Sequence, residues 1–138
     1  MNRLLFILML LLGSCAPSSE LPDFEHWTLA DKSIAAYRSE YPDKTVVFYM
    51  TAQWDVTGKV IQKKLEEERV IQALNRSQAV SFVYDGTKKD GLGWEQIASL
   101  GKEAYPNALV IFYPGQSKPV FRQIDYDDTI DRSFFSSP

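Results

Sequence analysis

The chain has 138 residues, 45% hydrophobic and 13% aromatic, enough for one compact core and too few for two ordinary domains. Its formal net charge is -3, with acids and bases mixed along the chain, which excludes the cationic footprint of a nucleic-acid binder and argues against adhesion to anionic headgroups. One cysteine and one histidine, Cys15 and His26, leave no internal disulfide and no cysteine-based metal cage, so neither a metal nor a cofactor is expected.

Asn2-Arg3, the apolar run Leu4 to Leu12 and the small residues Gly13 and Ser14 have the layout of a secretory signal peptide. The apolar run is about half the roughly 20 residues a bilayer-crossing helix needs, so cleavage is expected rather than a retained span. Leu12-Gly13-Ser14 ahead of Cys15 resembles the bacterial lipobox, which directs diacylglyceryl transfer to the cysteine thiol. An ordinary signal peptide cut a few residues later is the alternative, but the only cysteine falls where a lipobox needs it. Acyl chains would then hold the protein on a membrane, each buried methylene contributing about 0.8 kcal/mol. The resemblance also implies a periplasm-facing protein, with Ala16 rather than an aspartate after the cysteine favouring the outer membrane over the inner. The expected organisation is a signal peptide over 1–14, a lipidated cysteine and Pro/Ser-rich tether over 15–23, and one domain over 24–138.

Leu29, Ile34, Ala35 and Tyr37 recur at helical spacing and predict a helix from Leu29 to Tyr41, closed by Pro42-Asp43. Thr45 to Ala52 is a continuous β-branched and aromatic run, the pattern of a central strand buried on both faces. Val56 to about Asn75 reads as helical, with Val60, Ile61 and Leu65 on the buried face and a kink before Val70, Ile71 and Leu74. Ala79 to Tyr84 predicts a second buried strand, 85–91 a polar loop, and Trp94 to Lys102 a short helix. Ala108 to Tyr113 and Pro119 to Ile124 are strands around the hairpin signal Pro114-Gly115-Gln116-Ser117, with a last helix over Asp127 to Phe135. The class is α/β, with a mixed sheet of about four strands and an antiparallel edge hairpin.

The run Lys44 to Lys59 resembles the central strand and active-site turn of thioredoxin-like domains, in particular the periplasmic C-terminal domain of the DsbD thiol:disulfide interchange family. That pattern is a strand followed by Ala-x-Trp-Cys-x-x-Cys-Lys at a helix start; Ala52, Trp54 and Lys59 match it, and Pro106 falls where the family has its cis-proline. Asp55 stands where the resemblance places the attacking cysteine, and Gly58 where it places the resolving one. A thiolate is both nucleophile and leaving group in disulfide exchange, so a carboxylate and a glycine cannot replace the pair. Tyr49 stands where the family carries a buried acid thought to move protons to and from the cysteines.

Asp55 at a helix start is most simply a cap, worth about 1 kcal/mol, since no second carboxylate or histidine lies near it in sequence. Trp54 either packs over that helix start or anchors a partner peptide. Trp27 and Trp94 read as packing residues, His26 as exposed and without a role, and the Lys63 to Glu68 stripe as a solvated face. The sequence therefore favours a redox-inactive adaptor or assembly factor of the bacterial envelope, with Trp54, Asp55, Val56, Thr57, Gly58 and Pro106 as the surface offered to an unidentified envelope protein. The alternative is an enzyme that uses Asp55, Tyr49 or Tyr105 on the same scaffold, or a non-catalytic subunit of a thiol–disulfide system. A concave site with converging polar groups would point to the enzyme, and an exposed apolar patch to the binder.

Overall fold

The computed structural model describes residues 24–101 and 106–137. The leader over 1–14, Cys15, Ala16, the rest of the tether and Tyr105 lie outside the described residues. In chain order the elements are β1 (Thr28–Leu29), α1 (Ile34–Glu40), β2 (Thr45–Thr51), α2 (Val56–Leu65), α3 (Glu68–Arg76), β3 (Ala79–Asp85), α4 (Leu92–Leu100), β4 (Ala108–Phe112), β5 (Val120–Gln123) and a 3-10 turn at Arg132–Phe135. The sheet has five strands in the order β1-β3-β2-β4-β5. β1 and β2 run parallel to β3, while β4 is antiparallel to both β2 and β5.

β2 is central because its seven residues suit no other place. Every one of them is buried, and its side chains alternate between two apolar layers. Val47 and Tyr49 point into a cluster with Ile61, Leu65, Val70 and Leu74 of α2 and α3 and Leu109 and Ile111 of β4. Val46, Phe48 and Met50 point into the other, with Ile34 and Tyr37 of α1, Phe82 and Tyr84 of β3, and Ile97 of α4. That second layer is aromatic: Phe48 stacks on Phe82 and Tyr84 at 5.9 and 5.3 Å between ring centroids, and Tyr37 stacks on Phe82 at 4.0 Å. The end of β3 also receives α4 at very close range, since a Cβ on Gly93 would sit 1.9 Å from the Asp85 carbonyl oxygen.

Three expectations are corrected. The helix expected from Leu29 begins only at Ile34, where the Ser33 hydroxyl accepts the Ala36 N–H at 3.2 Å, because Thr28 and Leu29 pair with Phe82 and Val83 as a fifth strand. The long helix from Val56 is two helices, broken where Glu67 takes an extended backbone. Of the helix expected over Asp127 to Phe135, only the 3-10 turn forms, started by Asp131, whose carboxylate accepts the Ser133 N–H at 2.8 Å. The hairpin at Pro114 to Ser117 is as expected, with Ala108 opposite Gln123 and Ile111 opposite Val120.

The segment leading into β1 is held by a single carboxylate. Glu66, at the end of α2, accepts the backbone N–H groups of Glu25 at 3.0 Å and His26 at 3.2 Å, and its Oε2 lies 2.6 Å from His26 Nδ1. Trp27 is buried beside it and donates its indole N–H to the Leu65 carbonyl at 3.1 Å. The rings of Phe24 and Trp27 lie 6.2 and 6.4 Å from that of Tyr49. His26, expected to be exposed and idle, is exposed yet serves this clasp.

Candidate functional site

β2 ends at Thr51, and the chain turns at once through Ala52, Gln53 and Trp54 into α2. The Asp55 N–H donates to the Ala52 carbonyl at 3.1 Å and closes the turn. The Asp55 backbone is extended, and its Oδ1 accepts the Thr57 N–H at 3.0 Å, which caps the helix as the sequence predicts. Its other oxygen is engaged as well, for Oδ2 accepts a hydrogen bond from the Asn107 side-chain amide at 2.7 Å.

Asn107 is the residue that organises the site, and the sequence reading passed over it in favour of its neighbour Pro106. It is buried and sits at a φ of 63°, a left-handed conformation that asparagine tolerates better than most residues. Its backbone N–H donates to the Met50 carbonyl at 2.8 Å, and its carbonyl accepts the Ile124 N–H at 3.1 Å, which fixes it against β2 and the end of the hairpin. Its amide then has one direction of use: Nδ2 donates to Asp55, and Oδ1 accepts from the Tyr49 hydroxyl at 2.8 Å. Phenol, amide and carboxylate form a chain running from the core to the helix cap. Burial pushes the Tyr49 phenol well above the ordinary tyrosine value, and the charge of Asp55 adds to that, so Tyr49 stays a neutral donor at physiological pH.

Gly58 lies under this chain. A Cβ there would fall 2.8 Å from Thr51 Oγ1 and 3.3 Å from Asn107 Oδ1, so the space beside the helix start belongs to the hydroxyl and the amide. Pro106 is half-buried, and its carbonyl accepts the Gln123 side-chain amide at 2.8 Å. The structure thus brings Asp55, Thr57 and Gly58 together with Tyr49 through Asn107. It sends Trp54 and Val56 outward.

That outward surface is apolar. Trp54 is 53% exposed, Val56 79% and Val60 45%. Val60 corrects the sequence reading, which placed it on the buried face: Gly58, Ile61 and Leu65 are the buried residues of α2, and Val60 falls in line with Val56 one turn on. The Gln53 N–H donates to Thr87 Oγ1 at 2.8 Å, and the Gly86 N–H to the Thr51 carbonyl at 2.7 Å, which ties the loop after β3 to the same turn. Trp27 is buried and Trp94 half-buried, both as expected of packing residues.

Two crevices lie elsewhere. One of about 370 Å³ opens beside the start of β3, between Tyr41 and the Ile71–Leu74 side of α3, where β1 is too short to cover the sheet edge. A second of about 190 Å³ lies between Arg38 and Phe112. Neither is lined by Trp54, Asp55 or Asn107. Among the described residues, no three His, Cys, Asp or Glu side chains converge as metal ligands, and no helix is long and apolar enough to cross a membrane.

Neither a protein-family profile nor a curated protein sequence matches the chain. Solved structures do. Thioredoxin O2 from Arabidopsis thaliana in its oxidized state superposes with a TM-score of 0.51 at 21% identity, over 73% of this chain and 85% of that one. The C-terminal domain of Neisseria meningitidis DsbD gives 0.49 in the oxidised form and 0.46 in the reduced form, both at 22% identity, over 71% and 65% of this chain and 89% and 78% of those. The likeness to the thioredoxin establishes the fold: the described part of the chain has a thioredoxin-like architecture.

Proposed function

We propose that this chain is a lipid-anchored, redox-inactive binding protein of the bacterial envelope, which presents the turn around Trp54, Asp55 and Val56 to another envelope protein. The observation that carries this reading is the contrast within the turn. Its polar groups face inward and are matched, with both Asp55 oxygens and both ends of the Asn107 amide hydrogen-bonded, while its large apolar side chains face solvent. A carboxylate held at both oxygens by a helix N–H and a buried amide is suited to fixing a loop, and an exposed tryptophan beside two valines is suited to contact.

The chemistry of disulfide exchange has no atoms to run on at this turn. Asp55 and Gly58 occupy the places that the resemblance assigns to cysteines, and the sole cysteine of the chain, Cys15, is assigned to the anchor. In this reading the domain keeps the contact surface of a thioredoxin-like scaffold and has filled the reactive centre with hydrogen bonds. The anchor on Cys15 keeps that surface facing the periplasm, with Ala16 favouring the outer membrane.

A photo-crosslinking residue at Val56, activated in cells, tests the reading. One dominant envelope protein captured at this position, and lost when Trp54 is changed to Ala, supports it. Equal capture of that protein from a probe on the far side of the domain, at Arg76, refutes the assignment of the surface. Cys15→Ser should abolish lipid labelling; continued labelling refutes the anchor.

A further inference from the structure

The apolar side chains at the turn are flanked by cations on α2, with two more in the loop tied to the turn. Lys59 and Lys63 lie on the same exposed side of α2 as Val56 and Val60, at the three- and four-residue spacings that bring helical side chains together. The loop bound to the turn through Thr87 and Gly86 adds exposed Lys88 and Lys89. Among the described residues the ion pairs are made by His26, Lys32 and Arg69, so these four ammonium groups have no carboxylate at contact distance. Asp55, held by Thr57 and Asn107, keeps its charge in their midst, and Asp85 and Asp90 flank the two lysines of the loop, so the excess of positive charge lies on the Lys59 and Lys63 side of α2.

Resting on the binding role proposed above, we infer that this surface takes an acidic peptide segment of a protein partner, its central apolar residue seated on Trp54, Val56 and Val60 and its carboxylates on the flanking lysines. Charge decides for a peptide over an anionic membrane. A membrane meets a whole side of the domain, and this chain is net negative, with Glu67 and Glu68 just past the far end of α2, roughly 15 Å along a ten-residue helix. A peptide bound at the turn meets a local excess of lysine and not the net charge of the chain, because charges more than about 8 Å away are screened at physiological ionic strength.

The test uses the full chain in non-ionic detergent and three labelled peptides with the same Leu-Phe centre, flanked by Glu, Gln or Lys. The Glu peptide should bind about tenfold more tightly than the Gln peptide in low salt, the yield of several exposed ion pairs acting together, and the Lys peptide least tightly. The preference should collapse in 0.5 M salt, on the order of a 4 Å screening length. Changing all four lysines to Gln should erase the preference and leave binding of the Gln peptide intact. Trp54→Ala should weaken all three peptides. Equal binding of the three peptides overturns the acidic partner and leaves the binding surface standing. Binding of none of them, with a tryptophan emission shift in mixed micelles containing phosphatidylglycerol that Trp54→Ala removes, overturns it in favour of a lipid surface. If no peptide binds and the Val56 probe captures nothing that Trp54→Ala removes, the binding role fails as well.

Discussion

Tyr49 and Tyr84 sit on adjacent strands, one residue out of register, and face opposite layers of the same sheet. Both rings are fully buried, and burial pushes both phenols well above the ordinary tyrosine value. Their hydroxyls have different consequences. The Tyr84 hydroxyl donates to the Lys32 carbonyl at 2.5 Å, a bond that pins the chain ahead of α1 and goes no further. The Tyr49 hydroxyl donates to Asn107 and through it sets the carboxylate that caps α2 and shapes the outward turn. An aromatic layer can therefore serve packing alone, or packing and a site at once, and the difference lies in the last atom of the side chain.

The sharpest way to break this comparison is Phe48→Ala, which opens a cavity in the aromatic layer and should cost about 3–5 kcal/mol. If the two layers are separable, urea unfolding shows the loss while peptide binding by the folded fraction is unchanged. Tyr49→Phe should come next, at about 1–3 kcal/mol, because it leaves the buried Asn107 oxygen without a donor. Tyr84→Phe should cost less, about 1 kcal/mol, because the Lys32 carbonyl lies near solvent and water can replace the phenol. Equal losses at the two tyrosines would dissolve the distinction. Gly58→Cys should cost about 1–3 kcal/mol through overpacking against Thr51 and Asn107, and Thr51→Ala should recover part of it.

The alkaline limb of stability follows from the same two phenols. Each is raised above its unfolded value in the folded state, so the stability it contributes is complete below about pH 10 and is lost as pH climbs beyond it. Urea midpoints measured upward from pH 8 should hold level and then fall, and each Tyr→Phe change should flatten the fall. The smallest expected effect is Trp54→Ala. It should move stability by no more than about 0.5 kcal/mol while removing partner capture, because the ring is half exposed.

Much of the architecture was legible from local pattern. β2 announced itself by seven consecutive buried-type residues, and the hairpin by Pro114-Gly115 between two short apolar runs. β1 is hidden in the sequence because two residues carry no periodicity, and Leu29 fits a helix that starts five residues later just as well. Val60 lies outside the buried face because Ile61 next to it fills the apolar stripe, and a glycine, Gly58, takes the buried position that an apolar pattern leaves blank. Asp55 as a cap was readable from its place ahead of a helix. Asn107 was not, since its partners Asp55 and Tyr49 are 52 and 58 residues away, distances that only the folded sheet closes.

The clasp at Glu66 has a mechanical meaning. A pull on the chain ahead of Phe24 arrives first at one carboxylate, then at the Trp27 wedge and the two register pairs that join the outermost strand to β3, before the pairing of β3, β2 and β4 is tested. Yielding would pay out residues 24–30, about 20–25 Å of extra reach, at the loss of β1 alone from the sheet. It would also strip Phe24 and Trp27 from the ring of Tyr49, so tension on the preceding chain would be felt at the root of the hydrogen-bond chain that holds the Trp54 turn in shape.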